Sequence, residues 1–282
     1  MTIQLSVPLD TVDGLAIFIT YILLATAIVF VSGSVVLAIL TTKSLRKENR
    51  FIYMLNTSVS DLFTGLGIYY NGLFDVRENY PPKNSTFYIL PSLLGISFLT
   101  IFTAQLDRYV AISHPYFYSR QITEPKTIAV CVFIWVYTFS QTLIYNLVTQ
   151  EVAAKINGVT ALGATVCTFF AMIGLNLKLY LIATYQLSRE PDSQDRDSKK
   201  ASLRLIILVT LTFLTLWSPS FINQCLIKMT PYGFRTNNYA TDPFGFLVRL
   251  NPFTTPVLYI SGSRALKAAV FTKVWKPCCK TR

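Results

Sequence analysis

Seven apolar stretches of near membrane-spanning length follow one another along this chain. They cover residues 15–40, 51–74, 86–106, 127–148, 159–187, 203–227 and 243–260. A helix of about 17 to 25 mainly apolar residues crosses the hydrocarbon core of a bilayer, and each stretch is close to that length. The runs are too long for strands and show no sustained alternation. We therefore expect an all-α protein, a bundle of seven transmembrane helices.

The composition agrees with lipid as the solvent. Of the 282 residues, 52% are hydrophobic and only 14% are charged, whereas soluble domains carry about 25% charged residues. Five cysteines without CxxC spacing and one histidine argue against a zinc or iron–sulfur site. The net charge of +11 is not gathered in a polar domain, so we expect no nucleic-acid partner.

Positive charge is concentrated on one side of the predicted membrane. Of the 25 Lys and Arg residues, 18 follow the first, third, fifth and seventh stretches. The positive-inside rule then places the C-terminus in the cytoplasm and the N-terminus outside. Residues 1–14 lack the pattern of a cleaved signal peptide. We expect a short extracellular N-terminus over 1–14, a seven-helix membrane domain over 15–260 and a cytoplasmic tail over 261–282.

A charged triplet, Asp107-Arg108-Tyr109, ends the third stretch. With its surroundings it resembles the rhodopsin-like (class A) family of G-protein-coupled receptors, whose DRY motif it matches residue for residue. Asp61 and Trp135 fall at the family's positions in the second and fourth helices. The other matches lie in the last three helices: Tyr180, Phe213, Trp217, Pro219, Pro256 and Tyr259. Two positions depart from the motifs, with Leu216 for Cys and Thr255 for Asn.

The resemblance implies a two-state switch for a heterotrimeric G protein. Asp107 would hold Arg108 in the closed state, and Arg108 would swing free on activation. Tyr180 and Tyr259 would then close behind it, with Tyr109 and Pro256 completing the motifs. A ligand that favours one state would bias such a switch.

Three residues are expected to carry the ligand signal inward. Pro219 removes a backbone hydrogen bond and kinks the sixth helix, which gives it a place to bend. Trp217 lies where ligand contacts could be transmitted to Phe213. The alternative is that both aromatic residues only pack the core.

Asp61 is the one acid expected in the middle of the membrane, where a carboxylate needs partners. With Ser97 and Asn251 it matches the family's sodium pocket, and sodium would act there as an allosteric ion. The alternative is a hydrogen-bonded structural acid without an ion. We expect no other cofactor.

Several residues depart from the family's pattern, and these departures narrow the range of possible ligands. Leu90 stands where amine receptors carry an acid, which argues against a biogenic amine. Arg249 stands where opsins carry the retinal lysine, and a guanidinium cannot form that Schiff base. Lys83 replaces the usual disulfide cysteine. The ligand pocket is expected to include Arg249, Leu90, Asn71, Phe221 and Gln224.

Arg249 has two interpretations that the sequence leaves open. It is either an anchor for a carboxylate or phosphate of the ligand, or the partner of Asp75 or Asp242 near the helix ends.

The fifth helix suggests a subgroup. Residues 169–172 and 179–180 resemble melanocortin receptors, with adenosine and cannabinoid receptors as relatives of that group. Asn71, Lys83 and Phe87 occupy the positions of the melanocortin acidic cluster, which argues against a melanocortin ligand.

The tail and one loop carry candidate modification sites. Residues 264–275 are expected to form an amphipathic helix, with Leu266, Ala269 and Val270 opposite Lys267 and Lys273. Cys278 and Cys279 follow it, either palmitoylated or unmodified. Asn84 lies in a glycosylation sequon close to the membrane, a position that disfavours its use.

We conclude that the sequence predicts a plasma-membrane receptor and not an enzyme. Its partners would be a G protein, membrane lipids and an extracellular small molecule, lipid or peptide. A transporter or channel is the alternative, with Asp61, Lys178 and Arg249 along the path. A second alternative is a receptor-like binding protein that does not couple to a G protein, because the motifs are altered at Leu216 and Thr255.

Overall fold

A computed structural model describes residues 5–74, 88–148, 152, 162–186, 194–230, 233–234 and 240–276. Within these residues the regular secondary structure is helical, apart from one β-bridge between Leu5 and Phe74, and the all-α prediction is confirmed. The long helices are α1 Val12–Thr41, α2 Asn49–Leu73, α3 Ile89–Ser113, α4 Glu124–Leu147, α5 Leu162–Leu181, α6 Gln194–Met229 and α7 Pro243–Gly262. Short helices Lys43–Arg46 and Pro115–Gln121 lie between them, a π-helical turn Ile182–Gln186 extends α5, and α8 Arg264–Ala269 continues as a π-helical segment Val270–Trp275.

Several helices extend beyond the apolar stretches. α3 continues to Ser113, so Asp107 and Arg108 are helical, and α6 begins at Gln194, well before residue 203. Hydropathy marks only the part of a helix that suits lipid, so polar helical ends are missed. Five of the described helices, α1, α3, α4, α5 and α6, are long and apolar enough to cross a membrane. α2 contains Asp61 and α7 contains Arg249, and both helices pack against the other long helices.

α1 and α2 pack closely because small residues face α1. A Cβ atom on Gly65 would lie 2.8 Å from Cγ2 of Ile28, and one on Gly72 would lie 3.0 Å from the Tyr21 ring. Glycine at such positions lets two helices approach closely enough to gain van der Waals contact in an apolar medium. This contact places the inner faces of both helices toward α7.

The Asn56 side chain connects three helices. Its Oδ1 accepts a hydrogen bond from Nε1 of Trp135 on α4 at 2.8 Å, and its Nδ2 donates to Oγ1 of Thr100 on α3 at 2.7 Å. One turn further, the Ser60 hydroxyl donates to the carbonyl of Leu93 at 2.7 Å. Polar bonds between apolar helices fix their rotation, because a slipped helix would leave these groups unsatisfied.

α8 lies against α1. Its two faces are as predicted, with Leu266, Ala269 and Val270 buried and with Lys267 and Lys273 exposed. Nε1 of Trp275 donates to the Ser34 hydroxyl at 3.1 Å, and Nζ of Lys273 donates to the Thr41 carbonyl at 3.0 Å. The second bond satisfies a carbonyl at the C-terminus of α1, where a positive charge is favourable.

The bundle has two ends, the Arg108 end and the Thr11 end. The Arg108 end contains the C-termini of α1 and α3, the N-terminus of α2 and the start of α8. The Thr11 end contains the N-terminal segment. There the Ser6 backbone donates to the Leu73 carbonyl at 2.9 Å, the Ser6 hydroxyl donates to the Gly72 carbonyl at 2.7 Å, and Thr11 caps α1.

Replacing Trp135 by Phe tests the connection through Asn56. Phe keeps a ring beside Phe139 but removes the N–H that Asn56 accepts. We expect a loss of about 1 to 2 kcal/mol of stability, because a part-buried polar atom loses its partner. Thermal unfolding of the purified protein in detergent measures this. Tyr137→Phe is the control on the exposed side of α4 and should change little; equal midpoints for both variants would contradict the prediction.

Candidate functional site

Asp107 and Arg108 form an ion pair within α3. Nη2 of Arg108 lies 2.6 Å from Oδ2 of Asp107, and Nε donates to the same oxygen at 3.1 Å. The Asp107 side chain is 3% exposed and that of Arg108 is 19% exposed. The carboxylate is therefore buried, while part of the guanidinium reaches the surface of the Arg108 end. Among the described residues the hydrogen-bond partners of Arg108 are Asp107 and Tyr118.

Tyr118, on the short helix after α3, completes this pair. Its hydroxyl lies 3.1 and 3.2 Å from the two carboxylate oxygens of Asp107, to which it donates. It accepts from Nδ2 of Asn49 at 3.2 Å and from Arg108 at 3.4 Å. Burial raises the pKa of Tyr118 above its ordinary value of 10.0, and Asp107 adds to this while Arg108 opposes it. The hydroxyl is therefore a neutral donor throughout the physiological range, and it joins α2, α3 and the short helix.

Two cavities meet at Arg108. One, of about 440 Å³, lies toward the short helix and is lined by Asn49, Tyr118 and, from α6, Lys199 and Ser202. A much narrower one runs inward from Arg108 between α2, α3, α6 and α7, and it ends at Leu205, Ile206 and Tyr259. Because Leu205 and Ile206 of α6 line this cavity together with Ala104 and Arg108 of α3, α6 lies beside α3 at this level, and we refer to this as the closed arrangement.

Three stacked aromatic rings lie deeper in the bundle. Trp217 is 5.1 Å from Phe213 and 5.7 Å from Phe98, and Phe98 is 5.6 Å from Phe213, measured between ring centroids. Phe213 is fully buried. The stack joins α6 to α3 directly below Pro219, which lies inside α6 without ending it. Any rotation of Trp217 must therefore displace Phe98 or Phe213.

Asp61 lies in a fully buried polar group between α2, α3 and α7. Its Oδ1 accepts from the Ser97 hydroxyl at 2.8 Å, while its Oδ2 has no hydrogen-bond partner among the described residues. Asn251 is 1% exposed, and its Oδ1 accepts from Thr255 at 3.3 Å. Tyr259 interacts with Thr57 and lies within electrostatic reach of Asp61.

The comparisons with known proteins agree with this arrangement. Residues 32–259 match the model of the 7 transmembrane receptor (rhodopsin family). The chain belongs to this family. It is thus a G-protein-coupled receptor of the rhodopsin-like class, as the DRY motif predicted. The match runs from the middle of α1 to Tyr259 and so includes the ion pair, the aromatic stack and the Asp61 group.

The relatives of this receptor are named after different kinds of ligand. Mouse neuromedin-U receptor 2 is 23% identical over 90% of this chain and 75% of its own length. Rat N-arachidonyl glycine receptor is 26% identical over 82% of this chain and 76% of its own length. Zebrafish trace amine-associated receptor 13c is 22% identical over 86% of this chain and 81% of its own length. These identities are too low to transfer a ligand, and the melanocortin, adenosine and cannabinoid subgroup stays a prediction.

The remaining switch residues of the receptor lie in different surroundings. Tyr259 and Pro256 are buried in α7, and Tyr259 lines the narrow cavity with Arg108. Tyr180 is 54% exposed on α5 and is not brought to Arg108. Tyr109 lies under Nζ of Lys178, which is 5.6 Å from the ring centroid. The closed arrangement therefore contains Tyr259 but not Tyr180, and the closing role of Tyr180 stays a prediction.

At the Thr11 end, Arg249 contacts α1. It is 1% exposed, its guanidinium lies 5.1 Å from the ring centroid of Tyr21, and Nη1 donates to the Tyr21 hydroxyl. That hydroxyl in turn donates to the Ala240 carbonyl at 2.9 Å. Asp242 caps α7 by accepting from the Phe244 backbone at 3.1 Å, and Asp75 lies outside the described residues. Both interpretations of Arg249 stay open.

The other residues predicted for the ligand pocket do not all lie in one place. Leu90 is 1% exposed and packs with Tyr21, Ile68 and Val248. Phe221 stacks on Phe169 of α5 at 4.8 Å. Gln224, in contrast, is exposed. Its neighbour Asn223 is 8% exposed and exchanges two hydrogen bonds with the backbone of Phe234, at 2.9 and 3.0 Å.

Several predicted sites lie outside the described part of the chain. They are Lys83, Asn84, Phe87, Cys278, Cys279 and the side chain of Asn71. Glycosylation and palmitoylation stay predictions for these residues.

Sequence reasoning missed four residues of the site: Tyr21, Asn49, Phe98 and Asn223. Phe98 lies within an apolar run and differs from its neighbours only in being aromatic. Asn49 begins α2 and Asn223 lies in the last two turns of α6, where a solvent-facing polar side chain is common. Only Tyr21 carried a usable signal, because a hydroxyl inside a long apolar helix usually finds a buried partner.

Replacing Tyr118 by Phe tests the support of the ion pair. Asp107 would lose a hydrogen bond while remaining buried, so we expect a loss of about 1 to 2 kcal/mol of stability in detergent. Because the pKa of Tyr118 is raised, its contribution is present below its ordinary value of 10.0 and declines only as the pH rises through the raised pKa. The difference from wild type should thus be constant from about pH 6 to about pH 9.

The matched control for this variant is Tyr116→Phe on the same short helix. Tyr116 is 82% exposed, so its hydroxyl is solvated and its removal should change the unfolding midpoint little. Equal midpoints for the two variants, or a difference that disappears near neutral pH, would contradict the role given to Tyr118.

Proposed function

We propose that this receptor responds to an extracellular ligand by opening its Arg108 end to a heterotrimeric G protein. The ion pair of Arg108 with Asp107, supported by Tyr118 at the mouth of a cavity between helices, carries this proposal. A charged group held by an intrahelical acid can be released without breaking the bundle. The released guanidinium would then bind the partner's main-chain or carboxylate oxygens.

The seven long helices all cross the plasma membrane in this proposal, with α8 along the cytoplasmic surface. The charge at the two ends supports this orientation. Lys47, Arg50, Lys200 and Arg264 all line cavities at the Arg108 end. Lys and Arg are favoured on the cytoplasmic side of membrane helices, where anionic lipids also lie. The Thr11 end, with Asn223 and Ala240, then faces outside.

Movement of α6 is the opening step. Leu205 and Ile206 of α6 line the narrow cavity together with Arg108 and Tyr259 in the closed arrangement. These contacts are apolar and can separate without leaving a buried charge unpaired. Pro219 provides the pivot, because its ring removes one backbone hydrogen bond from the helix.

The aromatic stack links the ligand end to this pivot. Phe221 lies one turn above Trp217 and stacks on Phe169 of α5, while Trp217 stacks on Phe98 of α3. A ligand that displaces Phe221 or Trp217 therefore changes the packing of α6 on both neighbouring helices. A ligand that binds better to the displaced arrangement shifts the population of the open state.

Asp61, Ser97 and Asn251 fit a sodium ion. Asp61 has one buried oxygen without a hydrogen bond among the described residues, and the site contains a single carboxylate with neutral oxygens beside it. When bound, sodium would supply the positive charge that a buried carboxylate requires. Asp61 and Ser97 then hold α2 and α3 together near α7, which favours the closed arrangement.

The ligand is a peptide or a lipid rather than a biogenic amine. The names of the neuromedin-U and N-arachidonyl glycine receptors support a peptide or a lipid ligand. Leu90 is buried among apolar side chains, so a protonated amine would have no counter-ion at that position. The similarity to a trace amine-associated receptor does not change this, because Leu90 is the residue that stands at that position in this chain.

The contacts of the three charged membrane residues do not favour a transporter. Lys178 lies on the Tyr109 ring, Arg249 on Tyr21, and Asp61 against Ser97. Each contact joins a different pair of helices, so the three residues do not form one described path. The other alternative is a receptor that binds a ligand without coupling to a G protein, and an experiment must distinguish it from a coupled receptor.

Replacing Arg108 by Ala tests coupling. We expect ligand-free nucleotide exchange on purified G proteins to be above an empty-membrane control and to fall about tenfold or more in Arg108→Ala, because the contact made only in the open state is lost. Cyclic AMP and calcium in cells with matched surface expression identify the pathway.

Lys126→Ala is the control for this experiment, since Lys126 is an exposed basic residue at the same end. A signal equal in wild type and Arg108→Ala would exclude the proposed role of Arg108. No exchange with any G-protein class would favour the uncoupled receptor, and ion flux or uptake dependent on Asp61 would favour a transporter.

Replacing Asp61 by Asn tests the sodium site. We expect the wild-type receptor to unfold at a higher temperature in sodium chloride than in potassium chloride at equal ionic strength. The difference should be at least about 2 °C and should vanish in Asp61→Asn. Ser97→Ala should reduce it. A sodium effect that survives in Asp61→Asn would place the ion elsewhere.

A further inference from the structure

The N-terminal segment, residues 5–8, folds back onto the end of α2. Leu5 forms an antiparallel β-bridge with Phe74, the residue that follows this helix. The Ser6 backbone donates to the Leu73 carbonyl at 2.9 Å, and the Ser6 hydroxyl donates to the Gly72 carbonyl at 2.7 Å. The last carbonyls of a helix have no partner within the helix. The segment therefore uses hydrogen-bond acceptors that α2 leaves available.

Val7 packs inside the bundle although it precedes the first helix. It is 3% exposed and belongs to a buried apolar cluster with Tyr21 of α1, Leu90 of α3 and Val248 of α7. Trp217 of the aromatic stack packs against the same cluster. An unbroken set of apolar contacts thus runs from the N-terminal segment to the stack that joins α6 to α3.

The N-terminal segment lies on the water side of Leu90, a residue expected in the ligand pocket. A Cβ atom on Gly67 of α2 would lie 3.2 Å from Cδ1 of Leu90, so Leu90 contacts α2 at the level of Gly67. Gly72, whose carbonyl accepts from the Ser6 hydroxyl, is five residues closer to the Thr11 end. Five residues of helix rise about 7 to 8 Å. A ligand that approaches Leu90 along α2 from outside therefore meets the N-terminal segment first.

Gly14 allows the N-terminal segment to lie close to α1. It stands in the first turn of this helix, and a Cβ atom on it would lie 1.9 Å from the Pro8 carbonyl oxygen. Because that oxygen belongs to the backbone, no side-chain rotation could relieve the contact. The Thr11 hydroxyl accepts from the Gly14 backbone at 3.2 Å and donates to the Pro8 carbonyl at 3.4 Å. A larger residue at position 14 would force Pro8, and with it the N-terminal segment, to move.

We propose that the N-terminal segment is a built-in plug of the ligand pocket, which a ligand arriving from water must displace before it reaches Leu90. The bonds of Ser6 to α2, the burial of Val7 and the close approach at Gly14 support this role. A short segment of this kind can open locally while the bundle stays folded. A ligand that binds only the open form has its apparent affinity reduced by the fraction of molecules that are open. The effect on signalling rests on the function proposed above, whereas the closure itself requires no coupling.

The experiment measures how fast a water-soluble reagent reaches residue 90. The reporter is Leu90→Cys in the full chain in nanodiscs, with the five native cysteines replaced by alanine. A methanethiosulfonate with a trimethylammonium group, whose charge keeps it out of lipid, labels the thiol, and mass spectrometry gives the rate. We expect Gly14→Ala and Val7→Ser each to raise this rate about tenfold, which corresponds to about 1.4 kcal/mol against the closed form.

Two controls separate opening of the plug from other effects. Gly163→Ala also places a methyl group in the first turn of a long helix, but a Cβ atom there meets nothing within 4 Å, so the labelling rate should not change. An Ile101→Cys reporter, at a fully buried position deeper in α3, should stay unlabelled in the Val7→Ser variant. Faster labelling at both reporters would indicate general loosening of the bundle and overturn the inference.

A disulfide provides the opposite test. Leu5 and Phe74 face each other across an antiparallel bridge, a spacing that suits a disulfide. The oxidised pair Leu5→Cys, Phe74→Cys should lower the labelling rate of the Leu90→Cys reporter about tenfold, while Leu5→Cys alone should not. Equal rates in the reporter, the Val7→Ser variant and the locked receptor would contradict the proposal. Labelling needs no G protein, so the expected rates in a receptor without nucleotide exchange would refute coupling and retain the plug.

Discussion

Polar side chains inside an apolar bundle must be satisfied by neighbouring helices, and the packing of this receptor depends on that constraint. Asn56 joins α2 to α3 and α4, Asp61 joins α2 to α3 through Ser97, and Arg249 joins α7 to Tyr21 of α1. In lipid no water replaces these bonds, so helix rotations that break them are unfavourable. The apolar contacts between the same helices are less directional and follow from the positions that the polar bonds set.

The two ends of the molecule satisfy this constraint differently. At the Thr11 end, the described contacts of Arg249 and Asn223 are with hydroxyl or backbone groups of other segments, which are neutral. At the Arg108 end, basic side chains share cavities with a smaller number of acids. Like charges in a shared cavity repel, and this repulsion is relieved when the cavity widens or an anionic partner enters. The asymmetry favours movement at the Arg108 end.

The helices and the motif residues could be predicted from the sequence because each depends on local information. Apolar length identifies a membrane helix, and Asp107-Arg108 is recognisable from adjacent residues. The Phe98 ring could not be found in this way, and the Tyr21 hydroxyl signals a buried partner without identifying it, because the partners Trp217 and Arg249 lie more than a hundred residues away. Tyr180 shows the opposite limit: its motif position is plain, yet its exposure depends on the rotation of α5. Pairings between distant helices are set by packing, and periodicity alone does not encode them.

Thr255 shows how one substitution changes this polar interior. Its short side chain donates to Oδ1 of Asn251 in its own helix, at 3.3 Å. Nδ2 of Asn251 and Oδ2 of Asp61 are both buried and have no hydrogen bond among the described residues. A donor on α7 and an acceptor on α2 thus remain available to each other, and a movement of α7 that joins them gains a charge-assisted bond. Such a bond would give α7 a second favourable position, which is what a two-state switch requires.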